Sequence, residues 1–463
     1  MTVAEWIARV GPSDRPQRAA STFVDGLRHA GLFSVDRDII VARAPGRLDV
    51  IGGIADYSGS LVLEWPLADA TFVALQRHPD PTLTMVSGPR CATVCLPEVL
   101  SLDYDDARRY FGADHARQWT AYIAGAFIVL AHDHGVAFSE GARCLVASTV
   151  PEGKGLASSA ALEVAAMTAI CAAYDVMLEP RRLALLCQRV ENFIAGAPCG
   201  VMDQITAELG EFGKLLVLLC QPAEVQPSLP LPRGLELWGI DSGIRHAIGG
   251  ADYATVRAAA FMGRRIIEDL TGRPRDYLAN VTPTELEALA CHIPDSLTGR
   301  EFLERFGAID RVTTIDPDRV YPVRVATAHP IYEHARAREF GERLSRLADT
   351  QAVEADTYSK DAQRLGALMY ESHASYSACG LGSDGTDTLV AYARDAGPTS
   401  GIYGAKITGG GRGGTVAILA GTDGAPHVHA IARRYESQIG HAVRVFTGSS
   451  SGAAACGVCA VRL

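Results

Sequence analysis

The strongest constraint on the fold lies between residues 145 and 174. An apolar run, Leu145 to Val150, reads as a strand. It passes into Pro151-Glu-Gly-Lys-Gly-Leu-Ala-Ser-Ser159, and an alanine-rich apolar helix follows over 160–174. Gly153 and Gly155 let the backbone approach a bulky anion. Ser158 and Ser159 stand at the helix start, where unpaired N–H groups and the positive helix end favour phosphate. Lys154 adds a mobile positive charge. The string is not a Walker A loop, because no G-x-x-x-x-G-K-[ST] pattern occurs here. Nor is it a dinucleotide fingerprint, because position 158 is Ser. The plainer alternative is a tight strand-to-helix turn. Two glycines, two serines and a lysine together favour phosphate over it.

Two other glycine-rich stretches carry information. Ala44-Pro-Gly-Arg-Leu-Asp-Val-Ile-Gly-Gly-Ile-Ala-Asp-Tyr57 brings Arg47, Asp49 and Asp56 into one bend. Its plain reading is a structural turn with solvated charges. Thr408-Gly-Gly-Gly-Arg-Gly-Gly-Thr415 implies close backbone approach to a ligand or to another loop. Positions 409, 411 and 414 satisfy G-x-G-x-x-G. The apolar run Val416 to Leu419 after them reads as a strand, so the order is wrong for a dinucleotide site and disfavours an oxidoreductase.

Composition narrows the rest. With 463 residues and 48% hydrophobic content, the chain can bury cores for two or three domains. A formal net charge of -10 argues against nucleic-acid phosphates and polybasic membrane binding. No apolar window reaches membrane-spanning length, and the opening residues do not read as a secretory signal. Eleven cysteines, mostly inside apolar runs, suit reduced thiols and a cytoplasmic setting. Cys456 and Cys459 form a single CxxC, a weak metal or redox signal. Helices are expected over 14–31, 118–131, 181–194, 202–209, 251–270, 333–348, 360–377 and 425–438. Strands are expected at 39–44, 61–63, 73–75, 237–241, 415–419 and 442–446. The interleaving argues α+β lobes rather than a TIM barrel. Four prolines between 222 and 234 mark a lobe boundary, giving domains 1–225 and 226–463.

The three loops, in this order, resemble those of the galactokinase, homoserine kinase, mevalonate kinase and phosphomevalonate kinase (GHMP) family, from about residue 38 onward. The resemblance implies a two-lobed α+β GHMP kinase fold, with a ribosomal protein S5 domain 2-like N-terminal lobe and a ferredoxin-like C-terminal lobe. Within the family the chain is most similar to the galactokinase branch. Ala44-Pro-Gly-Arg47 and Asp56-Tyr57 match its sugar signature. Cys199-Gly-Val-Met-Asp-Gln204 matches the segment with its catalytic aspartate. Trp119-x-x-Tyr122-x-x-Gly125 and Glu371-Ser-His373 match as well.

The resemblance implies ATP and Mg2+ as cofactors and a monosaccharide as substrate, with a monomer or a dimer left open. It makes Asp203 the general base and sets Arg47 across from it. Asp56, Gly200 and Tyr253 match sugar-contacting positions, together with Arg47 and Asp203. Gly153, Lys154, Gly155, Ser158 and Ser159 match the phosphate loop, with Trp119 near the adenine. Ser159 and Glu191 match the magnesium ligands. Read without the resemblance, Glu191 is a helix-surface charge, Trp119 a buried helix aromatic and Arg47–Asp203 a structural pair.

One departure is informative. The branch carries Glu-His where this chain has Gly53-Ile54. In galactokinases that glutamate contacts the hydroxyl on the sugar's C6. L-Arabinopyranose has the galactose ring configuration without the C6 hydroxymethyl. The resemblance therefore implies phosphorylation of the anomeric hydroxyl of L-arabinose ahead of D-galactose. A non-catalytic sugar sensor on the same fold is the alternative from another class.

Overall fold

The computed structural model describes residues 1–244, 251–310, 312–349 and 355–463. Two sheets organise them. In the first, β1 (Ile39–Ile51) and β2 (Leu61–His78) form a long antiparallel pair around the turn at 52–60. β3 (Thr82–Ser87), β4 (Arg90–Cys95) and β5 (Gly141–Ser148) extend one side, and β5 lies against the second half of β2. β6 (Lys214–Leu219) pairs with the first half of β2 and carries β7 (Glu224–Pro230) at its edge.

The period of two explains why β2 is buried along nearly its whole length. Val73 and Leu75 face a core shared with the helices Ala121–His134 and Ser158–Ala173. Phe72 and Ala74 face the opposite core, with Trp6, Phe23 and Leu27 from the N-terminal helices. Both faces are covered, so neither half of the strand shows a polar stripe. The sequence suggests two short strands here, at 61–63 and 73–75. The structure joins them through Pro66, which pairs with Arg47 where the β1–β2 register shifts. A bulge tolerates a residue without an N–H. The same shift keeps Gly46 to Ile51 in β1, so the expected bend begins only at Gly52.

The second sheet holds β8 (Leu235–Asp241), β11 (Ile402–Ile407), β12 (Thr415–Gly421) and β13 (Val445–Thr447), in the order β11-β12-β8-β13. That is the split arrangement of ferredoxin-like folds. Between β8 and β11 lie the helices Ala251–Thr271, Val323–Ala348 and Ala355–Ala378, and a small ribbon of β9 (Leu297–Thr298) and β10 (Val320–Tyr321). The helix expected at 333–348 starts at Val323 and contains Pro330.

The change of sheet falls in the turn at 231–234. The proline-rich stretch before it is not a linker: β7 bonds only to β6, an edge position that suits proline. The chain then returns to the first lobe, where β14 (Cys459–Val461) pairs with β1 and buries Cys456 and Cys459 against Trp6. Among the described residues no helix is long and apolar enough to cross a membrane.

Candidate active site

The loop after β5 reaches the helix Ser158–Ala173 through three left-handed residues, Gly153, Gly155 and Ala157, at φ 71°, 68° and 57°. This winding presents the first turn of that helix, with Ser158 and Ser159, to an open cavity. The second glycine loop packs directly on the first. A Cβ on Gly155 would lie 2.7 Å from the Thr408 carbonyl oxygen, and one on Gly409 would lie 2.8 Å from that of Gly155. Thr415 Oγ1 donates to the Lys154 carbonyl at 2.9 Å. The glycines at 408–415 thus serve loop-to-loop contact, and Gly409 and Gly410 also line the cavity. Lys154 is not a mobile charge. Its Nζ pairs with Asp241 at the end of β8, 3.0 Å away.

The β1 bulge aims Arg47 inward, where it is 3% exposed. Its Nη2 lies 2.8 Å from Asp203 Oδ1, its Nε donates to the same oxygen at 2.9 Å, and its Nη1 donates to the Gly155 carbonyl at 2.5 Å. One guanidinium therefore ties the aspartate to the first glycine loop. Burial alone would weaken its charge. Asp203, Glu64 and Asp49 outweigh that and hold it firmly protonated. Glu64 Oε2 is 3.3 Å from Arg47 Nε, yet neither Glu64 oxygen has a hydrogen-bond partner. Burial, then the Asp49 charge, pushes its carboxyl well above the usual range. Asp203 sits in the first turn of the helix Met202–Leu209 and keeps 21% exposure, so it is the carboxylate of this group that reaches the cavity.

Beside it, Asp56 is buried, lines the cavity and leaves Oδ1 without a partner. Burial, then the Asp203 charge, raises its carboxyl well above the ordinary range. Gly200 stands behind it: a Cβ there would overlap the Asp56 carboxylate. Tyr253 closes the same wall, edge-on to Tyr57 at 6.0 Å between centroids, and Ile54 completes it. Hydroxyl acceptors next to apolar surface suit a sugar.

Glu191 lies on a π-helical turn, Val190–Ala195, that continues the helix Pro180–Arg189. It is buried, not a surface charge. Gln204 Nε2 donates to its Oε2 at 2.6 Å and to Glu163 Oε2 at 3.1 Å, and the Ser159 hydroxyl bonds to it as well. Burial pushes its carboxyl up to about 7, while the Ser159 bond pulls the other way. Glu163 Oε1 has no partner. Among the described residues there is no three-residue His, Cys, Asp or Glu cage. A serine hydroxyl and one carboxylate beside a glycine-rich helix start fit magnesium, a hard cation that takes water and phosphate oxygens as its other ligands.

Of the sequence-predicted residues, Arg47, Asp56, Gly153, Gly155, Ser158, Ser159, Glu191, Asp203 and Tyr253 line one cavity, with Gly200 immediately behind. Lys154 and Trp119 lie outside its lining. Trp119 lies under the Arg90 guanidinium, 5.2 Å from ring to Cζ, and Arg90 in turn pairs with Glu152 of the first glycine loop at 2.6 Å. Sequence reasoning missed Lys406, Glu64, Glu163 and the role of Gln204. Lys406 carried a usable signal: it is a single charge between Ala405 and Ile407 in an otherwise apolar run.

Comparison with known proteins finds matches along the chain. Residues 121–211 match the GHMP kinases N terminal domain, residues 351–438 the GHMP kinases C terminal domain, and residues 28–77 the galactokinase galactose-binding signature. The chain is 41% identical to an L-arabinokinase of Arabidopsis thaliana over 93% of its own length. It spans about half of that relative, 48%. It is 32% identical to a galactokinase of Chloroflexus aggregans, covering 82% of this chain and 83% of that one. The crystal structure of Lactococcus lactis galactokinase complexed with galactose superposes with a TM-score of 0.73 at 20% identity, over 96% of this chain and 100% of that one.

Proposed function

The chain belongs to the GHMP kinase family, in its galactokinase branch, and on that premise we propose that it transfers the γ-phosphoryl group of ATP to the anomeric hydroxyl of L-arabinose, giving L-arabinose 1-phosphate and ADP. The observation that carries the reading is the Arg47–Asp203 pair, set between the phosphate loop and the Asp56 wall. Asp203 accepts the proton of the anomeric hydroxyl. Arg47 holds Asp203 in place and offers positive charge where the phosphoryl group develops negative charge. The N–H groups at the start of the helix Ser158–Ala173 hold phosphate oxygens. Ser159 and Glu191 would hold magnesium, which supplies charge neutralisation on those oxygens when bound. Asp56, with its free Oδ1, accepts from sugar hydroxyls, and Tyr253 packs beside them.

Two observations favour L-arabinose over D-galactose. The more similar of the two relatives is the L-arabinokinase. The galactokinase branch's glutamate is Gly53 here, and Ile54 gives the cavity an apolar wall. A site that hydrogen-bonds a hydroxyl rejects analogues lacking it strongly, whereas an apolar wall rejects a hydroxymethyl chiefly by size. Some turnover of D-galactose is therefore expected.

The test is ADP release from MgATP with L-arabinose, D-galactose, D-glucuronate and no sugar, for wild type and Asp203→Ala side by side. The fastest turnover with L-arabinose, abolished in Asp203→Ala, supports the proposal. A wide preference for D-galactose makes the protein a divergent galactokinase, and no turnover with any sugar brings the sensor reading forward.

A further inference from the structure

Gly53 adopts a left-handed conformation, φ 46°. A Cβ built on it would overlap the hydroxyl of Tyr376 and come 2.8 Å from Asp49 Oδ2. Tyr376 belongs to the helix Ala355–Ala378 of the second lobe and is wholly buried. Its hydroxyl accepts the Ile54 N–H at 2.8 Å. The two neighbouring N–H groups are held as well: Gly53 donates to Asp49 Oδ1 at 3.1 Å and Gly52 to Glu333 Oε1 at 3.2 Å. Three consecutive backbone donors of this turn thus end on three buried side chains, two of them from the second lobe. The Tyr376 ring is itself confined, with Lys406 Nζ 5.2 Å from its centroid and His329 edge-on at 5.1 Å. Next along the chain, Ile54 lines the cavity, and Asp56 follows two residues later.

We propose that Tyr376 is the positioning residue that sets sugar specificity. It fills the volume that a side chain at position 53 would enter, and its hydroxyl pins the turn so that Ile54 stands as a fixed apolar wall against any substituent on the sugar's C5. Absence of the glutamate and presence of the tyrosine are two halves of one device. With Tyr376 in place, no larger residue fits at 53. With glycine at 53, the tyrosine hydroxyl fills the corner beside Asp49. Tyr376 touches no reacting atom and acts through Ile54. This inference rests on the proposed sugar kinase activity and names the residue that enforces its preference.

The test uses three sugars of one ring configuration that differ only at C5: L-arabinose (hydrogen), D-fucose (methyl) and D-galactose (hydroxymethyl). kcat and KM are measured with saturating MgATP for wild type, Tyr376→Phe, Tyr376→Leu and Gly53→Glu/Tyr376→Leu. Tyr376→Leu is expected to raise kcat/KM for the C5-substituted sugars relative to L-arabinose by about tenfold, mainly through KM, the scale of one added carbon in an apolar pocket. Tyr376→Phe keeps the ring and frees the Ile54 N–H, and is expected to raise the same ratio by about threefold. The double variant is expected to favour D-galactose. A merely structural role for Tyr376 would lower kcat/KM for all three sugars alike, so ratios unchanged in both single variants overturn the proposal. If Tyr376→Leu does not fold, Tyr376→Phe decides by the same ratio. The wild-type order of the three sugars reports on the L-arabinose reading, and the change in that order on substitution reports on Tyr376, so the two fail separately.

Discussion

Lys406 and Asp49 meet at 2.6 Å with neither side chain exposed, and they join β11 of the second lobe to β1 of the first. Around them, Asp49 Oδ1 accepts the Gly53 N–H and the Asp49 N–H donates to Thr408 Oγ1 at 2.7 Å. The pair therefore fastens both the turn at 52–60 and the second glycine loop. Removing one partner of a buried pair strands the other charge, at a cost of about 3–5 kcal/mol. Lys406→Met should lower the unfolding free energy by that amount in urea titration. Lys406→Met combined with Asp49→Leu should recover much of the loss, because no charge is then left alone. A Lys406→Met protein as stable as wild type would show that the pair does not hold the lobes.

Arg47 makes contacts a lysine cannot reproduce. Its planar fork bonds Asp203 and the Gly155 carbonyl at once, whereas an ammonium is a single point charge. Arg47→Lys is expected to lower kcat about 100-fold to 1000-fold, the scale of losing one fixed charge-stabilising donor, with little change in the midpoint of thermal unfolding. Steady-state kinetics paired with a melting curve checks both parts.

Gly200→Ala tests the wall behind Asp56. A methyl group there overlaps the Asp56 carboxylate and must displace it. Misplacing a substrate-positioning group by about 1 Å can cost about 100-fold, so KM for the sugar should rise by at least about tenfold while KM for ATP stays within about twofold. Equal rises in both constants would mean that the substitution loosens the whole site.

Glu208 predicts a pH dependence of stability away from the chemistry. It is buried at the end of the helix Met202–Leu209, its Oε2 has no partner, and burial pushes its carboxyl up to about 8 from 4.5. Folding keeps this proton on while the unfolded chain releases it. The stability it supports is complete below pH 4.5 and is lost as pH rises through about 8. Between those values the wild type should lose one proton's worth of stability, about 1.4 kcal/mol per pH unit, relative to Glu208→Gln. Denaturant titrations of both proteins from pH 6 to 9 check the difference, and parallel curves would mean that water reaches the carboxylate.

Much of this protein was legible in its sequence because the relevant signals are local. A strand, a glycine-rich turn and an apolar helix are each legible from a few neighbouring residues, and residues 145–174 fold in that order. The interleaved apolar runs indicate α+β lobes, the ferredoxin-like form of the second is what the family resemblance implies, and the helix at 202–209 is found with the expected bounds. Glycine at 53 was readable as a departure too, since it is a single letter in a known string.

What needed the tertiary structure are relations between residues far apart in the chain. Pro66 in the middle of β2 reads as a break until the register shift opposite Arg47 is seen to absorb it. Glu191 and Asp49 read as surface charges, because sequence records that a residue is charged but not whether water reaches it. Lys154 looks free until Asp241, brought beside it by β8, takes its charge. Above all, the reason position 53 holds glycine lies in Tyr376, more than three hundred residues away and on the other lobe. Local pattern determines which elements form and what ligand chemistry their turns offer. Packing alone decides which buried charges face each other and how much room is left in the cavity.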